Sequence, residues 1–205
     1  METALRIVDE DGADALSMRS LAQRLDSSTA TLYRHFGGRP DLIAQVIDRM
    51  FGEAGLSTRE LGATSWQQAC RTVAQQMFEV LRRHGNVARL LLGQVPMGPN
   101  AMALREGMLA MLLENGFEAE LAALSYATLG RFVLGFAIET SAPEPEDGAA
   151  SSAQFGRVDP ERFPATAAAA GAGALGVPIE DEFAFGLELL LQGLSARAQD
   201  RSSPR

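Results

Sequence analysis

Residues 17–39 read SMRSLAQRLDSSTATLYRHFGGR, and this stretch decides how the first part of the chain folds. Met18, Leu21, Ala22 and Leu25 recur at helical spacing behind Ser17, a residue type preferred at a helix N-cap. The spacing predicts a helix with one buried apolar side and one solvent-facing side that carries arginine.

A short turn and a second helix are predicted to follow. The polar run at 26–28 is typical of residues that end one helix and cap the next, because their side chains bond nearby backbone N–H groups. Leu32 and Phe36 form an i, i+4 apolar pair that we expect to dock on Leu21 and Leu25. The outer face would then carry Thr29, Ala30, Thr31, Tyr33, Arg34 and His35.

These outer side chains are poorly suited to a core and well suited to phosphates and base edges. The pattern predicts a helix-turn-helix that reads DNA. The alternative from the residues alone is a solvated amphipathic helix.

The chain resembles the DNA-binding domain of the TetR family of transcriptional repressors over its first fifty residues. The resemblance rests on the positions Gly12, Leu16, Leu21, Ala22, Leu25, Leu32, Tyr33, His35, Phe36, Arg39 and Leu42. Asp26 stands where the family's turn more often has glycine. Aspartate tolerates a left-handed backbone better than most residues, so we expect the turn to survive.

The resemblance also implies which side chains contact DNA. Arg19, Ala30 and Arg34 are the candidates for base contacts, with arginine on guanine and Ala30 on a thymine methyl. The candidates for the phosphate backbone are Thr29, Thr31, Tyr33, His35 and Arg39, and Ser28 completes the set of candidate DNA-binding residues. The first helix begins almost at Met1, so the chain either lacks the family's N-terminal arm or has a start codon further upstream.

The composition indicates a compact intracellular protein. The chain has 205 residues, of which 46% are hydrophobic, and a net charge of −8. Residues 19–39 oppose that charge, since Arg19, Arg24, Arg34 and Arg39 outnumber the single acid Asp26. The single cysteine, Cys70, excludes an intramolecular disulfide and is expected to fill the core. The N-terminal residues lack a secretory signal, and the most apolar stretch, 121–138, contains Arg131 and is expected to be a buried helix. We expect a cytoplasmic protein.

The rest of the chain is also predicted to be helical, which makes the fold all-α. A connector helix is expected from Pro40 to Met50, followed by helices at 66–84, 87–92, 101–114, 118–140 and 182–199. A loop at 141–178, rich in Pro, Gly, Ala and Ser, is expected to be mobile, with one short helix near 163–170. We divide the chain into a DNA-binding domain at 1–50 and a ligand-binding and dimerisation domain at 51–205.

The last helix is apolar on more than one face, which favours burial against a second subunit as well as against its own core. Residues 129–139 and 183–194 resemble helices of the tetracycline-repressor subgroup that form a four-helix dimer interface. The residues assigned to this interface are Tyr126, Leu129, Phe132, Val133, Phe183, Leu187, Leu190, Leu191 and Leu194. The alternative is a fully buried monomer core. A dimer would select a palindromic operator.

The resemblance implies a small-molecule inducer in the second domain. Val73 and Met77 stand where tetracycline-binding members contact the drug, and Leu91 stands where they bind magnesium, so tetracycline with magnesium is disfavoured. The predicted pocket is apolar and suits a hydrophobic or aromatic molecule. Its candidate residues are Val73, Met77, Phe78, Leu81, Leu91, Met97, Met108, Leu112, Phe132 and Phe136. Each could instead simply fill the core.

An enzyme finds little support in the sequence. The two histidines, His35 and His84, have no cysteine or carboxylate at metal-ligand spacing, and no phosphate-loop, nucleotide-binding or nucleophile-elbow motif is present. We expect no catalytic residues, no metal and no cofactor. The competing interpretation is a helical dimeric scaffold, or a ligand-binding protein with a vestigial DNA-binding head.

Overall fold

The computed structural model describes residues 1–56, 63–140 and 155–202, and throughout these ranges the regular elements are helices. In chain order they are α1 Glu2–Asp11, a 3₁₀ turn Ala13–Ala15, α2 Met18–Arg24, α3 Thr29–Tyr33, α4 Arg39–Glu53, α5 Trp66–Arg83, α6 Gly85–Leu90, α7 Pro99–Glu114, α8 Ala119–Glu139, α9 Pro164–Gly171 and α10 Ile179–Ser202. The all-α prediction is confirmed. The helix bounds agree with the predicted ones to within three residues.

The helix-turn-helix forms where the sequence predicts it. Ser17 caps α2 by accepting a hydrogen bond from the Ser20 backbone N–H at 3.0 Å, and the Ser20 hydroxyl accepts one from the Ser17 N–H in return. Ser28 caps α3 in the same way, accepting from the Thr31 N–H at 3.1 Å. Asp26 adopts a φ of 48°, so the left-handed turn survives without glycine. The caps and this turn set the ends of α2 and α3, which pack against each other.

One predicted packing contact is wrong. Leu32 is buried and Phe36 is partly buried against the core, but Leu25 is 45% exposed. The physical reason is that α2 ends at Arg24, so Leu25 leaves the helical path before its side chain can follow the apolar stripe of Leu21. The docking surface for α3 is therefore one turn shorter than the spacing predicts.

The second part of the chain is built around α8. Helices α5, α6, α7 and α10 pack against it. By length and composition alone α8 could cross a membrane, but such a test is also passed by the central helix of a soluble protein. Here its residues Ala122, Leu129, Val133 and Ala137 are buried among the surrounding helices.

The core contains an aromatic cluster and the single cysteine. Phe183 of α10 stacks on Phe78 of α5 at 4.2 Å between ring centroids, and Phe132 and Phe136 of α8 complete the cluster. Cys70 is 2% exposed, and burial raises the pKa of its thiol to about 12. This confirms Cys70 as a core residue, since a thiol that stays protonated is a poor nucleophile.

The structure describes only part of the loop predicted at 141–178. Residues 141–154 lie outside the described ranges, as do 57–62. Within 155–178 the predicted short helix is present as α9, which Pro164 opens. The last helix begins at Ile179, three residues before the predicted start, directly after Pro178.

Candidate DNA-binding, ligand-binding and junction sites

The outer face of α2 and α3 presents polar side chains to solvent. Arg19, Thr29, Ala30, Arg34 and His35 are exposed, and Tyr33 is 61% exposed. In the part of the chain that the structure describes, the side chains of Arg19, Arg34 and His35 have no hydrogen-bond or ion-pair partner. Unpaired donors on α2 and at the end of α3 leave this surface available for an acceptor-rich partner such as a nucleic acid backbone.

Three of the candidate DNA-binding residues also form hydrogen bonds within the DNA-binding head, residues 1–50. Ser28 and Thr31 bond each other through their hydroxyls at 3.0 Å besides forming the α3 cap. The Nε of Arg39 donates to the Leu16 carbonyl at 2.7 Å and its Nη2 to the Ala13 carbonyl at 3.4 Å. Arg39 is nevertheless exposed. A substitution at Arg39 would therefore remove the hydrogen bonds to Leu16 and Ala13 as well as a positive charge.

The predicted basic surface is smaller than the sequence suggests. Arg24 forms ion pairs with Glu10 at 2.6 Å and Asp11 at 2.7 Å, both at the end of α1. The hydrogen bond and charge of Arg24 lower the pKa of Glu10 below its usual value. Spacing along α2 could not reveal these partners, because they lie thirteen and fourteen residues away. Arg19, Arg34 and Arg39 are left as the basic groups of this face.

A histidine joins the head to the second part of the chain. His84, at the boundary of α5 and α6, lies between Asp9 of α1 and Glu53 of α4, with Nδ1–Oδ2 and Nε2–Oε2 distances of 2.8 and 3.0 Å. The side chain of Asn86 adds a hydrogen bond to the Asp9 carbonyl at 3.3 Å. The sequence predicts only that His84 ends a helix. The contacts place it where α1 and α4 meet the boundary of α5 and α6.

Asp48 of α4 makes a second junction, which the sequence did not predict. Its Oδ1 accepts a hydrogen bond from the Ala101 backbone N–H at 3.0 Å, and its Oδ2 accepts one from the Asn100 side chain at 2.8 Å. Both donors lie in the first turn of α7, whose own N-cap residue, Gly98, has no side chain to cap it. Asp48 therefore serves as an N-cap supplied from another helix.

Gly98 leaves the space that the Asp48 side chain occupies. Its φ of −69° is open to any residue, but a Cβ at this position would overlap the Asp48 side chain. The signal available in the sequence was indirect: an acid on the apolar side of α4, and a helix start, GPNA, without a capping side chain. Neither feature identifies the other as its partner.

A cavity of about 900 Å³ lies among α5, α7, α8 and the segment between α6 and α7. Five predicted pocket residues line it: Val73, Met77, Leu81, Leu91 and Met108. The cavity is mainly apolar, with Tyr126, Arg105, Arg131 and Gln94 as its larger polar side chains. Among the described residues, no group of three His, Cys, Asp or Glu side chains could hold a metal ion.

The other five predicted pocket residues lie elsewhere. Phe78, Phe132 and Phe136 point into the aromatic cluster around Phe183, and Leu112 is buried in the core. Met97 is exposed ahead of α7, near the Nη1 of Arg105. Helical spacing predicted the helices that carry Phe78, Leu112, Phe132 and Phe136 but could not give the rotation of each helix about its axis, and Met97 precedes α7.

The same limit applies to the residues assigned to a dimer interface. Leu129, Val133, Phe183, Leu187 and Leu191 are buried within the protomer itself, so this assignment is corrected for them. Tyr126, Phe132, Leu190 and Leu194 are partly buried. The large apolar side chains that α10 leaves to solvent are Phe185, 68% exposed, and Leu189, 53% exposed, while α8 exposes Leu124.

Comparisons with known proteins agree with this architecture. Residues 1–46 match the family described as bacterial regulatory proteins, tetR family, and residues 58–198 match the tetracyclin repressor-like C-terminal domain. A transcriptional regulator of Saccharopolyspora erythraea is 28% identical over 97% of this chain and 84% of its own length. The repressor DrrR1 of Streptomyces coeruleorubidus is 26% identical over 98% of this chain and 77% of its own.

Among solved structures, ActR of Streptomyces coelicolor without ligand superposes with a TM-score of 0.87 and 31% identity, covering 98% of this chain and 94% of ActR. ActR has also been solved with actinorhodin, and that complex superposes with a TM-score of 0.84, 31% identity and coverage of 96% and 95%. The family matches cover both the helix-turn-helix and the helices that enclose the cavity. The chain belongs to the TetR family of transcriptional regulators, as a helix-turn-helix DNA-binding protein with a ligand-binding C-terminal domain.

Proposed function

We propose that this protein is a homodimeric repressor that binds a palindromic operator and leaves it when a small molecule enters the C-terminal cavity. The observation that carries the proposal is the exposed face of α2 and α3, where Arg19, Arg34 and His35 have no partner in the described part of the chain. An acidic protein that keeps unpaired arginines on one exposed face, at α2 and at the end of α3, has a surface suited to DNA.

The residue roles follow from side-chain chemistry and position. Arg19 and Arg34 would donate to guanine edges, and Ala30 would contact a thymine methyl. The hydroxyl, phenol and imidazole groups of α3, with Ser28 and Arg39, would bond phosphates and set the position of the helix. Leu25 lies exposed beside this face and is not needed for α3 packing.

A homodimer would double these contacts. Phe185 and Leu189 lie one helical turn apart on α10, which packs against α8, where Leu124 is also exposed. A side chain added at Gly193 of α10 would meet no atom within 4 Å, so a partner helix could approach closely there. A two-fold axis through these helices would bring the same surface of both protomers together.

The ligand would be a hydrophobic or aromatic small molecule. ActR was solved with actinorhodin and with (S)-DNPA, and it is 31% identical to this chain. The apolar cavity here is of a size that such molecules need. We further infer a division at residue 50 between the two domains, a cytoplasmic location and no enzymatic activity.

The Asp48 junction would transmit the effect of ligand binding from the cavity to the DNA-binding head. Residues Gln94, Val95 and Pro96 line the cavity, and the chain then enters α7, whose first turn is held by Asp48 of α4. A ligand that favours a shifted position of this segment would therefore also shift α4 and the head attached to it. Such a ligand acts by binding the two arrangements with different affinity.

The experiment is a binding titration on a duplex enriched from random DNA, at several salt concentrations. Arg34→Ala should weaken binding by about tenfold or more, because a bidentate arginine contact discriminates by about 1–3 kcal/mol and a dimer has two. Arg83→Ala is the matched control, since Arg83 is exposed on α5. Equal affinity of the Arg34 variant and the wild type would favour the scaffold interpretation.

A further inference from the structure

The cavity carries an unusual balance of charge. Its charged lining residues, within the described ranges, are Arg105 of α7 and Arg131 of α8, and no aspartate or glutamate is among them. The chain as a whole has 26 acidic and 18 basic residues, so this local excess of positive charge opposes the overall composition. Two arginines in an otherwise apolar cavity need an explanation.

Arg105 is held in place by two thioethers and one backbone carbonyl. Its Nη1 lies 2.9 Å from the Met102 sulfur and 3.5 Å from the Met97 sulfur, and its Nη2 donates to the Pro96 carbonyl at 3.0 Å. Its guanidinium lies 5.8 Å from the centre of the Tyr126 ring. A thioether is a poor hydrogen-bond acceptor. The described residues provide no carboxylate within 4 Å to balance this half-buried charge.

Arg131 also has no acid partner among the described residues. It is exposed at the cavity, and its Nη1 donates to the Ala127 carbonyl of the same helix at 3.3 Å. Some other arginines are paired with acids, as in the bidentate pair of Arg71 with Glu188 at 2.6 and 2.9 Å. Among the described residues, neither cavity arginine has such a partner, so both guanidinium groups are available to an anionic ligand.

We propose that the cavity binds an aromatic molecule that carries a carboxylate, with the anion held by Arg105 and Arg131 and the rings against the apolar wall. This proposal rests on the proposed function, because it names the chemical class of the inducer for the same cavity. A carboxylate would replace the thioethers with charge-assisted, bidentate acceptors, which are the strongest that a guanidinium can use. Tyr126 lies beside Arg105 and offers a ring for stacking.

The test compares two fluorescent dyes that differ in one group. 8-Anilinonaphthalene-1-sulfonate is anionic, and N-phenyl-1-naphthylamine is its neutral counterpart. Arg105→Gln should raise the Kd of the anionic dye by about tenfold or more, as expected for lost hydrogen bonds to a charged group, and that of the neutral dye by less than about twofold. Arg131→Gln should shift the two dyes in the same order, and Arg83→Gln should shift neither.

A competition assay tests the carboxylate itself. Anthracene-2-carboxylate should displace the anionic dye from the wild type at about a tenth of the concentration that its carboxamide needs, and this difference should shrink in both cavity variants. Circular dichroism checks that Arg105→Gln is folded, and Arg131→Gln provides an independent variant if it is not. Equal shifts of both dyes, or equal displacement by acid and amide, would overturn the proposal.

The failure of the proposed function has a different signature. If neither dye binds the wild type, the cavity does not bind such ligands, and the inducer proposal fails together with this one. If both dyes bind without preference for the anion, and an apolar compound still releases DNA, the proposed function stands and only the carboxylate is refuted.

Discussion

The substitution Gly98→Ala tests the junction between α4 and α7. The new Cβ would occupy space held by the Asp48 side chain, while the backbone at φ −69° and ψ 164° accepts alanine without strain. Asp48 would have to swing away and give up its hydrogen bonds to the Ala101 N–H and the Asn100 side chain. The Ala101 N–H would be left buried without its acceptor, because Ala101 is 1% exposed.

Each hydrogen bond to a charged group contributes about 1.5 kcal/mol at the lower end of the usual range, so two lost bonds amount to about 3 kcal/mol. We expect Gly98→Ala to lower the free energy of unfolding by about 2–4 kcal/mol. Asp48→Asn keeps an oxygen acceptor for the Ala101 N–H but loses the charge, so it should cost about 1 kcal/mol.

The assay is urea unfolding followed by far-UV circular dichroism, with all variants at one protein concentration because dimerisation would add to the apparent stability. Gly171→Ala is the control, since a Cβ at Gly171 would meet no atom within 4 Å. It should change stability by less than about 1 kcal/mol. A Gly98→Ala protein as stable as the wild type would refute the role given to Asp48.

Three further results are expected. Cys70 should resist iodoacetamide at pH 8 in the folded protein and react only in urea, because burial raises its pKa to about 12; rapid labelling of the folded form would contradict this. Leu187→Ala should cost about 2–5 kcal/mol in urea unfolding, because Leu187 is 1% exposed, whereas Leu189→Ala should mainly weaken dimerisation in sedimentation experiments; the reverse pattern would contradict the proposed interface. Arg71 lowers the pKa of Glu188, so the ion pair stabilises the fold fully above the unfolded carboxyl pKa of about 4.3. This stabilisation is lost as the pH falls through the lower pKa of the folded state. The stability deficit of Arg71→Leu should therefore shrink in acid, and a constant deficit would count against the pair.

The sequence predicted the features that depend on near neighbours. The caps Ser17 and Ser28, the turn at Asp26 and the helix bounds all follow from residues within a few positions of one another, where local hydrogen bonds and helical periodicity decide the outcome. The exposed face of α3 follows from the same periodicity. These are the parts of the account that spacing alone could support.

The features that the sequence did not predict depend on contacts between distant residues. Arg24 was counted as a free cation because its partners lie on α1, and Asp48 was overlooked because its partners lie 52 and 53 residues away. Within the protomer, Leu187 is buried and Phe132 lies in the aromatic cluster, so the side of each helix that these two residues occupy differs from the prediction. A helix that is apolar on several sides does not specify which side faces the core.

The measurement that tests the central claim most directly is selection of random duplex DNA by the purified protein, followed by sequencing of the bound fraction. We predict enrichment of an inverted repeat whose half-sites lie about one helical turn apart or a multiple of it, as two copies of α3 related by a two-fold axis require. Arg34→Ala should lose this enrichment. Recovery of no common motif from the wild type would contradict the account of α2 and α3 as a reader of DNA sequence.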